Sequence, residues 1–354
     1  MRSAVYPIVL ILVALGVWWI VKLEPEPDVV LYCGVDQDQS RQIADLYEQE
    51  TGKAVLYQGE IESQRSIGLP QKLRDEKANP RADVFWSNEI MNMVDLSGRG
   101  LLDKLPDGVA DAFPAEWRDP NQRYVAFGAR ARVFLVNTEL LEEKDYPSSM
   151  EDLLDPKYKE MGLATCMARP LTGTTYTHAV ALLTNDEADG KRFLDAAAAA
   201  GADGRMKLVQ SNGRAMNQVR DKANKVAFCL TDTDDAWVAI REGDPVKVIY
   251  PDQGEGRPGA VLIPNTVAVV KGRPHPEAAA DLLRWLVTEA NEVRLANGPS
   301  AQIPLRTDLA GASLPDHVKR PGADFRTMVV DWQKVGENRD RWLDYLNERF
   351  RPAP

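Results

Sequence analysis

The chain has 354 residues, a formal net charge of −10 and 44% apolar residues. That length suits two domains with real cores, and the acidic balance, with no basic stripe, argues against nucleic acid as a partner. Cys33, Cys166 and Cys229 lack metal-site spacing, and neither a nucleophile elbow nor a zinc motif is present, so an enzyme is not expected.

The first 27 residues read as a signal anchor and spacer. Arg2 precedes an uncharged run from Ser3 to Val21, which Lys22 closes. The run is about long enough to cross a bilayer, and Trp18 and Trp19 suit its interface. No small-x-small cleavage site and no lipobox follow, which favours an uncleaved tether. The alternative is an exported chain with a cleaved signal peptide. On either reading the remainder is periplasmic or otherwise outside the cytoplasmic membrane. "EPEP" makes a short stiff spacer.

"DVVLYCGVD" then predicts a buried strand, "SRQIADLYEQETG" a helix ending at Gly52, and "KAVLYQG" a second strand. A short helix in "GLPQKLRDEKANP" and a strand in "RADVFWSNE" complete a β-α-β-α-β order, which implies a mostly parallel sheet with helices on both faces. The middle of the chain repeats this grammar. Strands are expected in "ARARVFLVN", "GLATCMA", "RMKLVQS", "KVAFCLT" and "AVLIPNTVAVVKG", and helices in "TTYTHAVALLT", "GKRFLDAAAAAG", "NGRAMNQVRDKA" and "HPEAAADLLRWLVTEA". From about Phe325 the tail has helical spacing. The cysteines read as buried small hydrophobes, and Cys166 and Cys229 would bridge only if their strands are neighbours.

Such sheets bind ligands at the carboxyl ends of their strands. Asp36, Asn88, Arg169 and the run Thr231, Asp232, Thr233, Asp234, Asp235 all stand there. Asp36, Asp232 and Asp234 make a hard oxygen set for a metal ion, or a partner for an organic ammonium group. The bland reading is that one or more of these aspartates caps the following helix. Gly173, Thr174 and Thr175 open a helix whose free N–H groups favour an anion, and Asn212 opens another; Arg169 would complete an anion site or pair with an aspartate. Trp86 is assigned to the core, His178 to a helix, and Arg130 and Arg132 to a hinge or interlobe ion pair.

The stretches "VVLYCGVDQ", "ADVFWSNE", "GARARV", "ARPLTGTT", "AFCLTDTDDA", "YPDQGEG", "LIPNTVAVVKG" and "NGPSAQIPLR", in this order, resemble periplasmic solute-binding proteins of the ferric-iron group of ABC importers. The resemblance runs from about Val29 to Arg306. It implies an α/β type II periplasmic-binding-protein fold with two lobes, each a mostly parallel sheet flanked by helices, and a ligand in the interlobe cleft. Lobe 1 would comprise 28–128 plus 252–303, and lobe 2 129–251 plus 304–354. It further implies a monomer that delivers its solute to an ABC permease in the cytoplasmic membrane. Ferric-binding members hold iron with two adjacent tyrosines, a histidine and a glutamate. Here Asp36 stands at the histidine position, Asn88 at the glutamate position, and Thr233 and Asp234 at the tyrosines, so the chain resembles a branch without those ligands. No cofactor is implied beyond a bound metal ion, with or without an anion. A small organic zwitterion, a phosphorylated solute, or a tethered sensor role are the alternatives.

Overall fold

The computed structural model describes residues 26–60, 68–309 and 313–351. The apolar run proposed as an anchor lies outside them. Among the described residues, no helix is long and apolar enough to cross a membrane.

The apolar runs form strands β1 (Val29–Cys33), β2 (Val55–Gly59), β3 (Val84–Ser87), β4 (Val125–Asn137), β5 (Ala164–Ala168), β6 (Met206–Val209), β7 (Val226–Asp232), β8 (Val246–Ile249) and β9 (Leu262–Val269). They hydrogen-bond in the order β2-β1-β3-β9-β4-β7-β5-β6, with β8 also on β4. β1 lies parallel to β2 and β3, and β5 parallel to β6 and β7. Each parallel trio is one lobe's own sheet. β4 joins them. Its first half, Val125 to Ala131, pairs antiparallel with β9, and its second half, from Arg132, pairs antiparallel with β7. A single strand thus passes from lobe to lobe, and its register sets which residues of the lobes meet.

The helices are α1 (Gln37–Thr51), α2 (Gly68–Asp75), α3 (Ile90–Gly98), α4 (Gly173–Asn185), α5 (Glu187–Ala202), α6 (Asn212–Arg220), α7 (Thr233–Arg241), α8 (Pro276–Leu286), α9 (Glu289–Asn297) and α10 (Trp332–Phe350). Most follow a strand directly, so α1, α3, α4, α6 and α7 begin at the strand ends that face the cleft. The two main apolar clusters divide by sheet face rather than by lobe. Tyr32, Phe85, Phe134 and Phe228 belong to one; Leu31, Trp86, Leu135 and Cys229 belong to the other. Alternation along each strand causes this, since neighbouring side chains point to opposite faces.

The sequence reading missed β8, whose four residues follow a charged turn. It also gave the tail to lobe 2 alone, whereas α10 packs against both α3 and α4. Arg339 donates to Asn92 Oδ1 at 3.0 Å, and the Tyr176 hydroxyl donates to the Arg339 carbonyl. A Cβ at Gly336 would stand 2.4 Å from Val94 Cβ, so only glycine allows this approach. Cys166 and Cys229 are direct register partners on neighbouring strands, yet both are free thiols, as is Cys33.

Candidate functional site

A cavity of about 370 Å³ opens between the lobes at these strand ends. Asp36, Asn88, Glu89 and Arg130 line one side, and Gly173, Thr174, Thr175, Asn212, Asp232, Asp234 and Asp235 the other. Most of the candidate residues therefore converge. Arg169 does not line the cavity; it continues β5, with its backbone N–H on the Val209 carbonyl. Thr231 is fully buried below it and donates to Asp235 Oδ2 at 3.1 Å. Thr233 turns away, its hydroxyl accepting the Ala131 N–H at 3.2 Å.

The three aspartates have different surroundings. Asp232 ends β7, directly opposite Arg132 on β4. Its Oδ1 accepts from Arg132 Nη1 at 2.6 Å, while Oδ2 accepts from Asn212 Nδ2 at 2.8 Å and from the Thr174 hydroxyl. Both Arg132 and Asp232 are buried, at 0% and 3% exposure. Asp232 occupies the N-cap position of α7, but its side chain makes no capping hydrogen bond. Asp234 lies inside the first turn of α7, where its Oδ1 accepts the N–H of the next residue, Asp235, at 3.0 Å.

One carboxylate oxygen from each of Asp232, Asp234 and Asp235 can be chosen so that all three lie within 4.8 Å of one another. Asp36 is outside this trio; it faces it from the α1 end of the cavity. Such crowding is unfavourable for charged groups. Burial pushes the Asp234 carboxyl up to about 6, against the pull of Arg130 and with the repulsion of Asp232 and Asp36. Asp235 is held well above the carboxylate range by burial and by the charges of Asp234 and Asp232. An incoming cation would relieve both.

Arg130 and Glu89 matter more than their places in the sequence indicated. Arg130 Nη2 donates to the Asn88 carbonyl at 3.0 Å and to Asn265 Oδ1 at 2.9 Å, and Nη1 lies 3.7 Å from Asp234 Oδ2. Its Nε is buried without a partner. Asn265 also donates to the Gly128 carbonyl at 2.7 Å and to Gln302 at 2.9 Å, which fixes this corner to the crossing strand β4. Glu89 stands at the N-cap of α3. Its Oε2 accepts from the Thr177 hydroxyl of α4, a bond between lobes. Ser87, which accepts the Glu89 N–H at 3.1 Å, sets the turn that points Glu89 inward. The sequence signal for Glu89 was its adjacency to Asn88 at a strand end.

Trp86 is fully buried and packs on Phe127, with ring centroids 5.3 Å apart, as its core assignment requires. His178 is buried in α4, and burial together with Arg132 lowers it to about 3, so it is neutral.

The family model for bacterial extracellular solute-binding proteins matches residues 42–323. The major ferric iron-binding protein of Neisseria meningitidis is 25% identical over 292 residues, covering 78% of this chain and 81% of that protein. A putative 2-aminoethylphosphonate-binding periplasmic protein of Salmonella typhimurium is 24% identical over 294 residues, covering 82% and 80%. Among solved structures, iron-bound HitA from Pseudomonas aeruginosa superposes with a TM-score of 0.76 at 22% identity, over 90% of this chain and 98% of its own. AfuA from Actinobacillus pleuropneumoniae, with fructose-6-phosphate bound, gives 0.75 at 17% identity, over 93% and 100%.

Proposed function

The chain belongs to the bacterial extracellular solute-binding proteins, and from that premise we propose that its cleft captures a hard metal cation, such as iron, and hands it to an ABC permease. The coarser part is plain: this is the solute-binding component of an importer, not an enzyme, and it works outside the cytoplasm. The choice of a cation rests on the trio of Asp232, Asp234 and Asp235, whose oxygens lie within 4.8 Å. A hard ion with ligands at about 2.0–2.5 Å places opposite oxygens about 4–5 Å apart, so one ion fits this span.

The same network argues against a phosphorylated solute alone. Thr174 and Asn212, which the sequence offered to an anion, hold Asp232 instead. An incoming phosphate would meet a carboxylate already in place. An anion still has a donor to meet, the buried and unpartnered Arg130 Nε. That donor suits a small anion accompanying the metal. It also favours a second reading, a zwitterion whose ammonium lies on the aspartates and whose acid end reaches Arg130. The apolar run Ser3–Val21 is assigned as an uncleaved tether on its length and flanking charges; an intact N-terminus in the mature chain's mass would support that.

The deciding test is native mass spectrometry with elemental analysis on the full-length chain, purified in mild detergent without chelators. A stoichiometric metal, lost in Asp234→Asn/Asp235→Asn, is expected. A metal-free protein carrying a small organic mass would favour the zwitterion.

A further inference from the structure

Glu89 carries an observation that the aspartate trio does not explain. The residue is 3% exposed and lines the cleft from lobe 1. One oxygen is taken by Thr177, while Oε1 is buried with no hydrogen-bond partner. A buried acceptor left without a donor costs about 1–3 kcal/mol, and more if charged. Folded chains rarely leave one unless something else completes it.

Its position indicates what that would be. A Cβ built on Gly173 would come within 3.9 Å of Glu89 Oε1, so this oxygen reaches from lobe 1 to the mouth of α4 in the trio's lobe. A side chamber of about 210 Å³ adjoins the main cavity there, and Glu89, Thr172 and Gly173 line both. Glu89 is thus a carboxyl group from lobe 1, beside a cavity whose carboxylates otherwise come from Asp36 and from lobe 2.

We infer that Glu89 is a solute contact that determines specificity: Oε1 faces the bound cation from lobe 1 while Oε2 holds lobe 2 through Thr177. A cation engaged by the aspartates completes the valence of Oε1 only when the lobes are together, so occupancy and closure depend on one side chain. A solute that brings neither a cation nor a hydrogen-bond donor to this point leaves Oε1 as it is and gains nothing there from closing. This inference rests on the cation reading and adds a residue that reading does not need.

Terbium(III), a hard trivalent ion with luminescence sensitive to carboxylate binding, serves as the probe on the full-length chain in detergent. Four proteins are titrated: wild type, Glu89→Gln, Thr177→Val and Asp234→Asn. Glu89→Gln keeps shape and one oxygen, and it removes a buried charge, so folding is preserved. Thr177→Val removes the interlobe bond and leaves the carboxylate. The expected result is at least a tenfold loss of affinity in Glu89→Gln and Asp234→Asn, with less than a threefold change in Thr177→Val. If Asp234→Asn weakens binding and Glu89→Gln does not, the inference is overturned and the cation reading stands. If Glu89→Gln and Thr177→Val weaken it equally, Glu89 is only a latch and the inference also fails. If neither acidic variant matters, the cation reading itself falls.

Discussion

Two glutamates in this molecule share one electrostatic state and do opposite work. Glu292 and Glu89 are both buried, and burial raises each to about 7. Glu292 on α9 is fully used. Its Oε1 accepts the Gly128 N–H at 2.5 Å, and its Oε2 accepts those of Leu305 at 2.6 Å and Arg306 at 3.0 Å. Gly128 lies at a register shift in β4, with φ of +51°, where the strand offers an N–H that the ladder does not take. Glu292 therefore fastens the crossing strand to the segment that follows α9. Glu89 has one bond and one vacant oxygen, in a cleft. Burial and a raised pKa accordingly do not mark function; an unfilled valence beside a cavity does.

The hardest attempt to break this contrast is Glu292→Ala. Three backbone N–H groups lose their acceptor in a site closed to water, so unfolding free energy should drop by about 3–5 kcal/mol. Urea denaturation measures it, and a drop below about 1 kcal/mol would remove Glu292 as a structural staple. Arg132→Met comes next. It leaves Asp232 buried without its counter-charge, and about 3 kcal/mol should be lost. Asp232→Asn together with Arg132→Met should recover part of that loss, because the stranded charge is then gone.

The same distinction explains how much was legible in the sequence. Strands buried on both faces announce themselves as apolar runs, so "VVLYC" and "VAFC" were placed correctly, and the aspartates after "CLT" reached the cleft by the rule for strand ends. The partners of those aspartates were not legible. Asp232 meets Arg132 through an antiparallel register between strands 100 residues apart in sequence. Thr233 and Asp234 are adjacent in the run, but the start of α7 turns one toward Ala131 and the other into the cavity. Arg169 lies three residues before Thr172, where the loop reaches the cleft's rim. Glu89 was passed over for Asn88 because only the fold shows that its second oxygen lacks a donor.

A sharper version of the comparison uses pH. Asp234 stands at about 6, so protons compete with a cation for it. Below that value affinity should fall by about tenfold per pH unit, and more steeply if Asp235 must also lose a proton. Titration with terbium between about pH 5 and 7 should show affinity rising with pH. An anionic solute requires the reverse trend, because protonation lowers the repulsion it meets. Glu292→Gln, if folded, should leave the profile unchanged, since its carboxyl is spent on backbone.

The smallest effect belongs to Glu89→Gln in the absence of solute. Burial raises this carboxyl above its unfolded value, so its contribution to stability is full below the ordinary glutamate range, about 4.3. It is lost as pH rises through about 7, because the unfolded chain releases the proton first. Near pH 4.5 the variant and wild type should agree within about 1 kcal/mol, since both then carry a neutral side chain in the native state. Toward pH 7 the variant should become the more stable of the two, by roughly 1–3 kcal/mol. Denaturation curves at the two pH values measure the gap. A gap that stays constant would mean that Glu89 reaches water or a donor in solution. Its Oε1 would then be satisfied as fully as the oxygens of Glu292, and the contrast between the two glutamates would close.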